Sequence, residues 1–282
     1  MAKSPWSKPV TKALQADGLE LGKFDTSATP GFKGNKKDGE QLLAERGPVL
    51  SDLQEKLFAN GRSGDPRSVL LVLQGMDTAG KGGIVRHVIG SVDPQGVDHA
   101  AFGVPTAEEK RHNYLWRIRR QLPRGGQIGV FDRSHYEDVL VVRVHNLVAP
   151  EVWGKRYDEI NKFERKIVDS GTTLIKVAMF VSLDEQRKRL AERLNRPDKY
   201  WKFNPNDIDE RGFWPAYQEA YQAVLDRTST DYAPWHVLPA DRKWYSRLAV
   251  TELLIDALQN LKLDWPAAQF DVEEQKKRLA AS

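Results

Sequence analysis

Residues 75–83 read Gly-Met-Asp-Thr-Ala-Gly-Lys-Gly-Gly, and the spacing Gly75-x4-Gly80-Lys81 is that of a phosphate loop, or Walker A motif. Gly75, Gly80, Gly82 and Gly83 let the backbone turn so that N–H groups, those of Thr78 and Ala79 among them, can face one anion. Lys81 adds a mobile point charge able to follow a phosphoryl group through transfer. Gly82 stands where a Ser or Thr would ordinarily ligate a metal, so that contact must come from elsewhere. Asp77, inside the loop, is the obvious substitute. Its alternative role is to cap local N–H groups in the turn.

A second carboxylate stands at Asp132, after the apolar run Ile128–Phe131, where a metal-holding acid belongs in a phosphate-loop enzyme. A helix N-cap is the competing use. Arg133 follows directly, and its planar fork suits the oxygens of a phosphate. His135 is read as structural, because an acceptor that is already anionic needs no general base. Two basic runs flank this stretch. Lys110–Arg124 holds six Lys and Arg with no acid, and Arg187–Phe203 holds seven against Glu192 and Asp198. Arg117, Arg120 and Arg124, and likewise Arg189, Arg193 and Arg196, recur at helical spacing. Two such runs around a phosphate loop suggest a channel for a polyanion longer than one nucleotide.

These residues need elements to position them. Ser68–Gln74 is a nearly continuous Val/Leu run, as expected of a strand buried on both faces, and Gly82–Ile89 reads as the helix after the loop. Further strands are expected at Val97–Phe102, Gln127–Phe131, Thr172–Val181 and Trp235–Leu238. Helices are expected at Asp38–Asn60, interrupted at Gly47-Pro48, and at Thr106–Gln121, opened by a Thr106/Glu109 capping box. Others are expected at Tyr136–Asn146, Val152–Ser170, Asp184–Leu194, Phe213–Arg227 and Trp244–Leu261, with a loop over Asn195–Pro205. This alternation predicts an α/β fold, a P-loop three-layer α/β/α sandwich on a parallel sheet. Residues 1–37 read as an extended surface arm, 38–262 as the phosphate-loop domain, and 263–282 as a solvated helical tail.

The 282 residues carry 43 Lys and Arg against 39 Asp and Glu, a net +4, with no cysteine. Disulfides, thiolate metal sites and a cysteine nucleophile are therefore excluded. No apolar stretch approaches a bilayer span and no secretory signal is expected, so a cytoplasmic protein is the reading. Each local basic excess is larger than the net charge of the chain, which conceals them. Eight tryptophans leave base stacking and a subunit interface both open.

Four ordered segments, GMDTAGKGG, FGVPTAEEKRHNYLWR, FDRSHYEDVLVVRVHN and RLNRPDKYWKF, together resemble the polyphosphate kinase 2 family over roughly Gly39–Leu261. The resemblance implies that 38–262 is a kinase domain of thymidylate-kinase-like fold with a helical lid at about 187–212, and it implies Mg2+-dependent, reversible transfer of a phosphoryl group from inorganic polyphosphate to AMP or ADP. It implies that Asp77 and Asp132 hold Mg2+ and that Lys81 and Arg133 stabilise the transferring group. Arg189, Arg193 and Lys202 would belong to the lid and the polyphosphate path, and Arg117 to the nucleotide side. Glu137 resembles the subgroup acting on both nucleoside mono- and diphosphates. Adenine nucleotides are the expected partners, with guanine left open; a homo-oligomer is implied, and neither nucleic acid nor membrane. The competing readings are an ATP-dependent nucleoside monophosphate kinase and a basic nucleic-acid-binding P-loop protein.

Overall fold

The computed structural model describes residues 5–282, so the first four residues of the expected N-terminal arm lie outside the described residues. In chain order the elements are α1 (Val10–Ala13), α2 (Lys36–Arg62), β1 (Ser68–Gln74), α3 (Lys81–His87), β2 (Val97–Ala101), α4 (Leu115–Arg119) and β3 (Ile128–Asp132). There follow α5 (Val141–Val144), α6 (Pro150–Asp169), β4 (Thr172–Phe180), α7 (Leu183–Leu194), α8 (Asn206–Asp209), α9 (Trp214–Thr228), β5 (Trp235–Pro239), α10 (Lys243–Asn260) and α11 (Val272–Ala280). All five strands are parallel, in the order β2-β3-β1-β4-β5. The expected α/β/α sandwich is present.

β1 is central and every residue in it is buried. Its alternation divides the core. Val69, Leu71 and Leu73 pack with α2, α3 and α10, while Leu70 and Val72 pack with α6 and α9. Each such side chain contributes about 1.5–3 kcal/mol by leaving water. The order also places the carboxyl ends of β1 and β3 side by side: Leu73 is the register partner of Asp132, and the Arg133 N–H donates to the Leu73 carbonyl at 3.0 Å. Ligands bind at the carboxyl ends of such sheets, where the strand order reverses.

Several helices depart from the expected bounds. α2 is continuous through Pro48. Its long packing against α10, with Arg46 Nε and Nη2 each donating to Glu252 at 2.7 Å, outweighs the hydrogen bond that proline cannot make. The Thr106/Glu109 capping box does form, at 2.7 and 3.2 Å, but it caps only the 3-10 turn Glu109–Arg111. The helix resumes as the short α4, after Asn113 Oδ1 accepts from the Leu115 N–H. The Tyr136–Asn146 stretch is a 3-10 turn, His135–Asp138, followed by α5. The Asn195–Pro205 loop contains the 3-10 turn Pro197–Lys202. Near the N-terminus, Val10, Leu14 and Phe32 enter the core, and the Val237 N–H donates to the Leu14 carbonyl at 2.7 Å. This segment is packed into the domain as well as laid along it. α11 buries no residue.

Candidate active site

The chain leaves β1 at Gly75, whose missing side chain is a steric requirement: a Cβ there would sit 2.6 Å from the Met179 carbonyl oxygen on β4. Thr78 and Gly80 then adopt left-handed backbone, at φ 64° and 116°, to reverse the chain into α3. Lys81, 8% exposed, folds back so that Nζ donates to the Gly75 carbonyl at 2.6 Å and the Met76 carbonyl at 3.4 Å. Burial pushes this ammonium below its ordinary pKa, and the Asp132 carboxylate pulls the other way. Arg133 is also left-handed, at φ 64°, a conformation that costs about 1–3 kcal/mol outside glycine and persists where surrounding contacts fix it.

Arg133 Nη2 donates to Asp77 Oδ1 at 2.6 Å. Burial opposes its charge, but the Glu137 and Asp77 carboxylates outweigh burial and raise its pKa. Glu137 Oε1 in turn accepts from Gln74 Nε2 at 2.7 Å, and Ser134 Oγ donates to Gln74 Oε1 at 3.2 Å. Asp77, Lys81, Asp132, Arg133 and Glu137 thus form one electrostatic cluster at the ends of β1 and β3.

The phosphate loop lies between two cavities. On one side Thr78, Ala79, Gly80 and Gly83 border a groove with Arg189, Arg193, Lys199, Lys202, Lys243 and Arg247, against the single acid Glu192. On the other side Gly75, Met76 and Asp77 border a pocket with Arg133 and the acids Glu137, Asp207 and Glu210. Its remaining wall includes Val104, Leu140, Val141, Tyr217 and Tyr221. The 195–213 segment contributes to both, Lys199 and Lys202 to the groove and Asn204, Asn206 and Asp207 to the pocket.

The residues singled out from sequence do not all stand alike. Arg193 Nη1 donates to the Lys202 carbonyl at 2.9 Å and to Asp207 Oδ2 at 3.1 Å, while lining the groove. Arg189 faces the loop from behind, with its donors on carbonyl oxygens and Glu185. Arg117, 7% exposed, lines neither cavity: Nη1 donates to the Gly103 carbonyl at 2.8 Å and the guanidinium lies over Phe102. No tryptophan among the described residues lines either cavity. His135 is fully buried with Nε2 3.1 Å from Glu164 Oε1, the structural use expected of it. Sequence reasoning missed Lys243 and Arg247, whose four-residue spacing on α10 was a legible signal. It also missed Gln186, Asp207, Tyr217 and Tyr221, which carry none.

Among the described residues no group of three or more His, Asp or Glu is arranged to hold a metal alone. Mg2+ takes one or two carboxylates and completes its shell with water and substrate phosphates, a donor set that Asp77 and Asp132 could supply. Around Lys81 the acids Asp77, Asp132 and Glu137 outnumber the bases Lys81 and Arg133, so a polyanion arriving there needs a cation with it.

The family model for polyphosphate kinase 2 matches residues 33–265. An AMP/ADP-polyphosphate phosphotransferase of Meiothermus ruber is 48% identical over 262 residues, covering 93% of this chain and 97% of that one. An ADP-polyphosphate phosphotransferase of Rhodopseudomonas palustris is 39% identical, covering 89% and 90%. The crystal structure of polyphosphate kinase 2 from Arthrobacter aurescens superposes over the whole of both chains with a TM-score of 0.96 at 49% identity. The chain belongs to the polyphosphate kinase 2 family.

Proposed function

We propose that this enzyme transfers the terminal phosphoryl group of inorganic polyphosphate to AMP and ADP, reversibly, giving ADP and ATP. The observation that carries the reading is the placement of the phosphate loop between a basic groove and an acidic, partly aromatic pocket. A polyphosphate chain fits the groove, where Arg193, Lys199, Lys202, Lys243 and Arg247 match successive phosphates. A nucleotide fits the pocket, its base against Tyr217, Tyr221, Leu140 and Val141 and its phosphates toward Arg133. Glu137 lies on that nucleotide side, and Arg117 acts by holding the Gly103–Val104 loop that borders it.

Transfer is direct, with no covalent enzyme intermediate, and rests on positioning and electrostatics. Lys81 exchanges its loop carbonyls for the transferring phosphoryl, and Arg133 clamps its oxygens from the β3 side. Asp77 and Asp132 are the residues that would hold Mg2+, which would screen the phosphoryl oxygens from these carboxylates. Adenine is the proposed base, and a cytoplasmic homo-oligomer the proposed form. Among the described residues no helix is long and apolar enough to cross a membrane.

The test is formation of ADP and then ATP from AMP with polyphosphate as the sole donor and Mg2+ present. Product is expected, abolished by EDTA and restored by excess Mg2+. Phosphorylation of AMP from ATP alone, with none from polyphosphate, would replace this reading with an ordinary nucleoside monophosphate kinase.

A further inference from the structure

Arg189 sits at the wall of the basic groove, yet it is 6% exposed and every one of its donors is engaged by the protein. Nε donates to Glu185 Oε1 at 2.9 Å. Nη1 donates to the carbonyls of Thr78 at 2.9 Å and Ala79 at 3.2 Å. Nη2 donates to the carbonyls of Ala240 at 2.6 Å and Asp241 at 3.0 Å. A guanidinium has five N–H donors, so none is left over for a phosphate. One turn earlier on α7, Gln186 Nε2 donates to the Asp77 carbonyl at 3.1 Å, and Gln186 Oε1 accepts from Arg211 Nη1 at 2.7 Å. Three consecutive loop carbonyls, those of Asp77, Thr78 and Ala79, are therefore held by two side chains of one helix.

A trans peptide points its N–H opposite to its C=O. Drawing the 77, 78 and 79 carbonyls toward α7 turns the N–H groups of Thr78, Ala79 and Gly80 away from it. Ala79 N–H is used inside the loop, on the Met76 carbonyl at 3.1 Å. The Thr78 and Gly80 N–H groups donate to no oxygen of the described residues. The left-handed backbone at Thr78, a non-glycine residue, needs outside contacts to persist, and these clamps supply them.

We infer that Arg189 and Gln186 are positioning residues, which set the direction of the free phosphate-loop N–H groups by holding the loop's carbonyls from behind. This rests on the reading that the loop binds a transferring phosphoryl. It gives Arg189 a role different from that of the groove's other bases, since all its donors are spent on the protein and its fork geometry is what holds the loop. Because Nη2 also grips the turn after β5, the same side chain ties the loop to the start of α10, where Lys243 and Arg247 stand.

The test compares Arg189→Lys, Arg189→Gln and Gln186→Glu with the wild-type enzyme, using polyphosphate of defined length and ADP, well below each variant's melting temperature. Lysine keeps the charge but cannot reproduce the fork. Arg189→Lys is expected to lower kcat about 100-fold, nearly as much as Arg189→Gln, with the KM for polyphosphate within about threefold of wild type. Gln186→Glu keeps the acceptor for Arg211 and removes the donor to Asp77, and is expected to lower kcat about tenfold. If Arg189→Lys retained kcat, or if its loss lay in KM, Arg189 would be a phosphate contact and the inference would fail. Should the Arg189 variants not fold, Gln186→Glu decides alone: wild-type kcat overturns the inference. A wild-type enzyme inert with polyphosphate would instead sink the proposed function.

Discussion

Asp77 and Asp132 are both acids at the ends of adjacent strands, but their surroundings differ. Asp77 is bound to Arg133 through a 2.6 Å hydrogen bond, so removing its charge also releases the guanidinium proposed to clamp the transferring group. Asp132 faces Lys81 and has no ion pair of its own among the described residues. Asp132→Asn is therefore expected to abolish transfer, by about 100-fold or more, while leaving the folded state nearly unchanged. Asp77→Asn should lose as much activity and also raise the KM for the nucleotide, since Arg133 is no longer aimed. Initial rates and melting curves for the two variants check this. Near-normal turnover of either with Mg2+ present would remove it from the proposed metal site. The chemistry-bearing residues were legible because phosphate loops are local in sequence. Gln186, Asp207 and Tyr221 were not, because they reach the loop from α7, the lid segment and α9, and a polar or aromatic residue on a helix carries no mark of what it will face.

Behind the turn that carries Asp132 and Arg133, a fully buried pair joins β4 to α6. Lys176 Nζ donates to Glu164 Oε2 at 2.6 Å, to Tyr136 Oη at 3.0 Å and to the Thr228 carbonyl at 2.7 Å. Tyr136 Oη donates to Glu164 Oε1 at 2.7 Å, beside His135. Burial pushes the Glu164 carboxyl up, but Lys176 and His135 together outweigh it and hold it below its ordinary pKa. His135 and Tyr136 follow Asp132 and Arg133 after only Ser134, so this network fixes the turn that carries them. Lys176→Met alone should cost about 3–5 kcal/mol by stranding a buried carboxylate, whereas Lys176→Met with Glu164→Leu should recover most of it. Denaturant titration of the single and double variants checks this; equal losses would mean the pair is not the source. A lysine in the middle of the run Thr172–Val181 was readable as strand but not as half of a buried pair. Helices showed the same division. The strongly periodic α6 and the mostly buried, apolar α10 fall near their expected bounds. The 106–121 stretch, by contrast, forms its expected Thr106/Glu109 capping pair yet breaks, because the Asn113 side chain offers the chain a turn instead.

At the scale of the whole molecule, the sheet ends at β5, and the N-terminal segment covers that edge. Gln15 bridges His236, and the Leu14 carbonyl accepts from the Val237 N–H at 2.7 Å. An open edge strand invites pairing with other chains, so this cover protects the monomer as well as burying Leu14 and Val10. It was invisible in a Lys-, Gly- and Pro-rich stretch whose few apolar residues show no period. The cover also buries His236, which is 7% exposed, with Nδ1 3.3 Å from the Lys176 carbonyl. Burial pushes its imidazole from 6.5 down to about 4. The folded chain thus resists the proton that the unfolded chain accepts. Stability is fully present above about pH 6.5 and falls as pH drops toward about 4, by about 3 kcal/mol at roughly 1.4 kcal/mol per unit. His236→Gln should therefore lower stability at pH 8 but flatten its dependence between pH 6.5 and 4, so the wild-type and variant curves converge on acidification. Urea midpoints measured across that range test it. Parallel curves would mean that the edge, although covered, does not keep His236 neutral.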